Sequence, residues 1–213
     1  MGMRLCYVSV PHSAIGQLRS DPNLAPSLLV ETALGGMAAA AAAGFQEALR
    51  KQLGSVGLGG IFPRLMRDND DDGGSGDGPA QSPLRPDAVR GQLEKSWHAL
   101  HFMFSGKADD APPPLGLLCT GGEEVGDDLG YGPARYLSPP EVVAFRDALR
   151  GIDDAEFDRR FDLAAFERND LYPNIWDEDR DDLLEEYQMY FEQLRSDLDA
   201  TASAGEGLLI GIE

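Results

Sequence analysis

The sequence is poor in cationic side chains, in cysteine and in histidine. Lysine and arginine number 18 against 37 acidic residues, which leaves a formal charge of −19. Duplex DNA or RNA is thereby excluded as an expected ligand, because a phosphate backbone needs neutralising Lys and Arg. Cys6 and Cys119 are the two cysteines. Both fall in apolar, strand-like segments and read as buried reduced thiols that neighbouring strands would bring near each other. No apolar run reaches membrane-spanning length. The opening MGMRLCYVSV lacks the apolar core and cleavage site of a secretory leader, and it lacks the Ser or Thr of a myristoylation signal. A cytoplasmic protein without membrane association is expected.

Catalytic and metal signatures are also sparse. There is no HExxH, no nucleophile elbow and no Walker spacing. His98 and His101 stand three apart, within reach of one metal, but no third ligand stands at a familiar spacing, so neither a metal nor a cofactor is expected.

What remains suffices for a folded core. The hydrophobic fraction is 42% over 213 residues, long enough for one domain with a sizeable interior. Met3–Val10 reads as a strand. Pro11-His12-Ser13 turns into a short helix that Ser13 can cap. Ser27–Leu53 holds helix formers interrupted by Gly35-Gly36 and Gly44, around a low-complexity Ala38–Ala43 run. Asp68–Pro86 is acidic and rich in Gly, Ser and Pro, and reads as a mobile loop within the domain. Asp68, Asp70, Asp72 and Gly73 match the first half of a calcium loop, yet Pro79 stands where the bidentate Glu belongs, so a solvated acidic loop is preferred.

Asp87 can cap a helix with Val89, Leu93, Trp97, Leu100 and Phe104 on one face, ended by Gly106. Leu115–Cys119 reads as a buried strand. Ser138-Pro139-Pro140-Glu141 is a capping box with a proline at the first helical position, and Leu137 and Val142 form its staple. Asp153 with Glu156 repeats the device. Asp177 or Asp179 opens the longest helix, whose apolar face is Leu183, Leu184, Tyr187, Tyr190, Phe191, Leu194 and Leu198. Leu208–Ile212 is a closing strand. Strands at both termini with helices between them predict an α+β domain with a small mixed sheet.

The candidate residues fall in three segments. Glu123, Glu124, Asp127 and Asp128 sit in a Gly-rich loop with Tyr131 and Arg135. Two carboxylates in a shared cleft could divide acid and base roles. Alternatively, Arg135 pairs with them and pins the loop. His101, one turn from Trp97 and Phe104, is a site-lining group or a satisfied core histidine. Tyr172-Pro-Asn-Ile-Trp176-Asp177 is either a pocket wall or an aromatic closure of the core.

The motifs WHALHFMFSG at Trp97–Gly106, GGEEVG…LGYGPARY at Gly121–Tyr136 and YPNIWD at Tyr172–Asp177, with the opening strand and the closing Leu-Leu-Ile-Gly-Ile, resemble the YfbM-like family of small bacterial proteins of unknown function. The resemblance spans most of the chain. It implies a single α+β domain over residues 1–213 in bacterial cytoplasm, with the acidic loop of residues 68–86 as an addition, and it carries no catalytic assignment.

A non-catalytic interaction protein is therefore expected. Its ligand would be a basic protein partner or a small molecule, which the negative field would steer. Its face would draw on Trp97, His101, Glu123, Glu124, Asp128, Tyr131, Arg135, Trp176 and Asp177. The alternative is a hydrolase or transferase with Glu123 or Glu124 as general base and Arg135 on an anion. In a third reading Arg135 is purely a stabilising residue. Simple solubility also accounts for the acidity.

Overall fold

The computed structural model describes residues 2–30 and 83–213. The expectations for Gly35-Gly36, Gly44, the Ala38–Ala43 run and the calcium-like loop from Asp68 to Pro79 lie outside the described residues. Strands β1 (Leu5–Val10), β2 (Arg90–Gln92), β3 (Glu123–Asp128), β4 (Pro133–Leu137) and β5 (Gly207–Ile212) form one sheet in the order β2-β1-β5-β4-β3. All neighbours are antiparallel. Together with the helices this is the α+β domain the sequence predicts, with an antiparallel sheet in place of the mixed one expected.

Both terminal strands lie at the centre of the sheet. Leu5 pairs with Ile212 and Val10 with Gly207. Beyond the ladder, Arg4 and Glu213 exchange backbone hydrogen bonds of 2.8 and 2.9 Å. Every residue of β1 is buried, because helices cover both faces. Side chains alternate sides along a strand. Leu5 and Tyr7 accordingly enter one core with Leu208, Ile210 and Leu137. Cys6, Val8 and Val10 enter a second core with Leu209, Ala134 and Tyr136. A strand covered twice reads as a near-continuous apolar run, which is why LCYVSV was legible.

The first core holds helices Trp97–Ser105, Pro139–Leu149 and Arg180–Ser203. The second holds Ile15–Ser20 and the helical residues 24–30. Ser138 and Glu141 make the expected reciprocal box, with Glu141 Oε2 accepting from the Ser138 backbone N–H at 2.8 Å. Asp153 accepts from the Glu156 N–H at 2.8 Å. Glu156 does not return the bond, since Arg159 and Arg160 hold its carboxylate. Asp179, not Asp177, caps the long helix. Leu183, Tyr187, Phe191, Leu194 and Leu198 are buried there, and Leu184 and Tyr190 partly so. Phe191 stacks on Phe157 at 4.7 Å between centroids, a pairing that adds about 0.5–1.5 kcal/mol to plain burial.

Several expectations are corrected. The Asp87 helix does not exist as read. Arg90–Gln92 is instead an edge strand on β1, with Gly91 opposite Tyr7. A Cβ at Gly91 would come within 2.2 Å of the Tyr7 ring, so the glycine is a packing requirement of that pair. The helix begins only at Trp97 and ends, as expected, on left-handed Gly106. The expected strand Leu115–Cys119 is instead a one-turn helix over Leu115–Leu118. Gly116 lets it pack on the preceding segment, for an added Cβ would sit 2.1 Å from the Ala111 carbonyl oxygen. Cys119 consequently sits on no strand, and both thiols are free. Ser13 does not cap; a 3-10 turn over His12–Ala14 leads into the Ile15 helix without a side-chain cap. Glu123–Asp128 is not a loop but edge strand β3, paired with β4.

Candidate functional site

The β3–β4 hairpin carries most of the predicted polar residues. Its turn is built by Asp128, whose Oδ1 accepts from the Gly130 and Gly132 N–H groups at 2.6 and 3.1 Å. Glu123 makes a bidentate pair with Arg19 at 2.6 and 2.7 Å, and the Arg19 hydrogen bonds hold its carboxyl below the usual range. Glu124 is exposed opposite Arg135 in the register. Tyr131 is exposed at the turn.

Arg135 lies opposite Glu124 in the ladder yet spends its hydrogen bonds on backbone. Its guanidinium donates to the carbonyls of Leu117, Leu118 and Gly121 at 3.3, 2.6 and 2.9 Å. The last carbonyls of a helix lack intrahelical donors, and the planar guanidinium fork supplies several at once. Burial is the main influence on the group and lowers its pKa, while Cys119 and Glu124 oppose that. With these three bonds the guanidinium ties the Leu115–Leu118 turn and Gly121 to β4.

His98 and His101 are both committed to backbone. His98 Nδ1 accepts from the Tyr172 N–H at 3.0 Å, so its Nε2–H donates to the Ala108 carbonyl at 2.9 Å. His101 Nε2 bonds the Asp109 carbonyl at 2.7 Å, and its buried Nδ1 has no partner. Burial lowers the His101 pKa, with smaller contributions from His98 and Arg135 in the same direction. Among the described residues no cluster of metal-ligating side chains occurs.

Trp97 stacks between His98 and Tyr172, at 5.0 and 6.1 Å. Trp176 packs edge-on against Phe166 at 4.9 Å and donates Nε1–H to the Leu171 carbonyl at 2.9 Å. Asp177 is exposed. The Trp97 helix thus meets the Tyr172–Trp176 loop directly, and His101 lies within the field of Arg135. Glu123, Asp128 and Tyr131 stay out on the hairpin and do not join the aromatic group.

Beside that group is a half-open cavity of about 240 Å³. Three elements build it. The turn after β2 contributes Glu94, Lys95 and Ser96, the aromatic loop gives Pro173 and Ile175, and the long helix gives Glu186, Tyr187 and Tyr190. Glu94 has a left-handed backbone, φ 43°, in a turn closed by the Ser96 N–H on the Leu93 carbonyl at 2.9 Å. A residue with a side chain adopts this region at a cost, and such positions gather at functional sites. Burial first, then the Glu186 and Glu94 charges, push the Tyr190 phenol up to about 12. The sequence hides these residues because the Val89, Leu93, Trp97 spacing places QLEKS inside a helix. A helix face gives no reason to single out Glu94 or Lys95, whereas the strand-to-helix turn presents both.

A second cavity of about 340 Å³ lies between Phe102–Gly106 and the Arg159-Arg160 pair. There Glu156 holds both arginines, and Arg160 also donates to the Met103 and Phe104 carbonyls at 2.9 and 3.2 Å.

A family model for a domain of unknown function (DUF1877) matches residues 1–211. Among solved structures, the chain is similar to that of YfbM, a protein of unknown function from Escherichia coli. The TM-score is 0.55 and the identity 17%, over 99% of this chain and 99% of that one. At that identity the likeness speaks for the fold. No curated protein matches the chain. No helix among the described residues is long and apolar enough to cross a membrane.

Proposed function

The chain belongs to the DUF1877 family, and on that premise we propose that it is a non-catalytic interaction protein that recognises a basic protein partner. The observation that carries this reading is where most of the described arginines go. Arg4 pairs with Glu213, Arg19 with Glu123, and Arg85 with Asp87 and Glu206. Arg146 and Arg150 share Asp147 and Asp199. Arg159 and Arg160 share Glu156, and Arg180 holds Asp158. Arg135 is held by carbonyls, and Arg195 lies over the Phe191 ring.

The acidic surplus therefore faces outward. Along the long helix Asp182, Glu185, Met189, Glu192 and Ser196 are all exposed. Steps of three and four place them in one stripe. Met189, 54% exposed, gives the stripe an adaptable apolar centre. Such a face attracts cations at long range and speeds encounter with a basic partner.

The test is affinity capture from a cell lysate by the wild-type chain and by a triple variant, Asp182→Asn with Glu185→Gln and Glu192→Gln. The expected result is a basic protein retained by the wild type and lost from the variant and from high-salt washes. Identical captures by the two chains would remove the stripe from the reading.

A further inference from the structure

We propose that the cavity beside the stripe receives the cationic end of one lysine or arginine side chain from the basic partner. The inference rests on the function proposed above and names the contact that would give it specificity.

Size comes first. At about 240 Å³ the cavity is smaller than the usual drug-sized site and suits one long side chain. Its walls are Tyr187, Tyr190, Ile175 and Pro173, and its carboxylates are Glu94 and Glu186. An aliphatic stem can lie on the apolar wall while its charged head meets carboxylates and aromatic faces. An anionic head would meet two like charges there, and a neutral donor would gain a hydrogen bond but no charge pairing.

The site is also built rather than incidental. Tyr187 is 2% exposed, and the Pro173–Ile175 wall is tied to the neighbouring helix by the His98–Tyr172 bond of 3.0 Å. Glu94 lines the cavity from a left-handed backbone conformation that glycine would relieve. Lys95 is the one cation that lines the cavity. Its side chain runs past Gly2, where an added Cβ would meet its Cε at 2.8 Å and its Nζ at 3.7 Å. Its ammonium is thus drawn toward the N-terminal segment, and the two carboxylates outnumber it.

The experiment is fluorescence anisotropy with a labelled lysine-rich peptide and with the same peptide acetylated at every lysine. The proteins are the wild type, Glu94→Gln, Glu186→Gln, Glu94→Gly and the triple stripe variant, each checked for cooperative melting. Wild type should bind the free peptide and not the acetylated one. Each cavity variant should weaken binding about fivefold, the scale of one partly exposed charge pair. Glu94→Gly should do so with a melting temperature equal to or above wild type.

If the triple variant binds more weakly while the cavity variants match wild type, the cavity proposal is overturned and the partner reading stands. Loss of free and acetylated peptide alike in the cavity variants overturns the cationic head as the ligand. If wild type binds neither peptide, or no variant differs from it, both readings fall.

Discussion

Arg135→Ala is the perturbation that most sharply separates a structural arginine from a functional one. The guanidinium holds three carbonyls at 3.3, 2.6 and 2.9 Å. Those of Leu117 and Leu118 belong to buried residues, whereas Gly121 is exposed and can turn to water. An acceptor left unsatisfied in the interior costs about 1–3 kcal/mol. Two such acceptors give roughly 2–6 kcal/mol, and release of the buried guanidinium from its own desolvation brings the expectation to about 2–4 kcal/mol. For a chain of this length that corresponds to a fall in Tm of roughly 5–15 °C. Urea unfolding followed by circular dichroism reads the change directly. Glu124→Gln is the control, since Glu124 faces Arg135 across the ladder but makes none of these bonds. A loss below about 0.5 kcal/mol in Arg135→Ala, within the range of ordinary surface substitutions, would refute the carbonyl anchor. An equal loss in Glu124→Gln would show that an ion pair had been mistaken for one.

Three further predictions follow from the same geometry. Gly116→Ala should destabilise by about 1–3 kcal/mol, as overpacking does, because its Cβ would press on the Ala111 carbonyl at 2.1 Å; an unchanged urea midpoint would contradict that packing. Asp197 accepts from the buried Tyr7 hydroxyl at 2.7 Å, and burial raises its carboxyl above the ordinary value. The folded state thus binds that proton more tightly than the unfolded chain does, so ionised Asp197 detracts from stability above its folded pKa, and the penalty fades as pH falls through the carboxylate range. Asp197→Asn should therefore match or exceed wild-type stability at neutral pH and lose that advantage in acid, and urea midpoints across pH that show the reverse order would refute it. Glu123 is shifted the other way by Arg19. Its contribution is present at neutral pH and lost as pH falls, and Glu123→Gln should lower Tm slightly in low salt and not at all in high salt.

The parts of the fold that were legible in the sequence are those fixed by neighbours in the chain. The Ser138 box, the left-handed Gly106 and the stripe from Leu183 to Leu198 each depend on residues three or four positions apart. β1 and β5 were legible because helices on both faces make them apolar throughout. The Arg90–Gln92 strand was not, since only its pairing with β1 makes it a strand. Leu115–Leu118 carries too few residues to show a period, and a run of leucines suits either state. The candidate site was legible in part. The union of Trp97 with Tyr172 joins two of the quoted motifs. The partners of Arg135 are backbone carbonyls, which leave no trace in side-chain identity, and the cavity at Glu94 depends on a turn that periodicity had absorbed into a helix.

The most direct measurement is a titration of the lysine-rich peptide against wild type and the Asp182→Asn, Glu185→Gln, Glu192→Gln variant over a salt series. The acidic stripe requires wild-type affinity to fall steeply with salt and the variant to bind more weakly along a flatter line. Superimposable lines for the two proteins would contradict it.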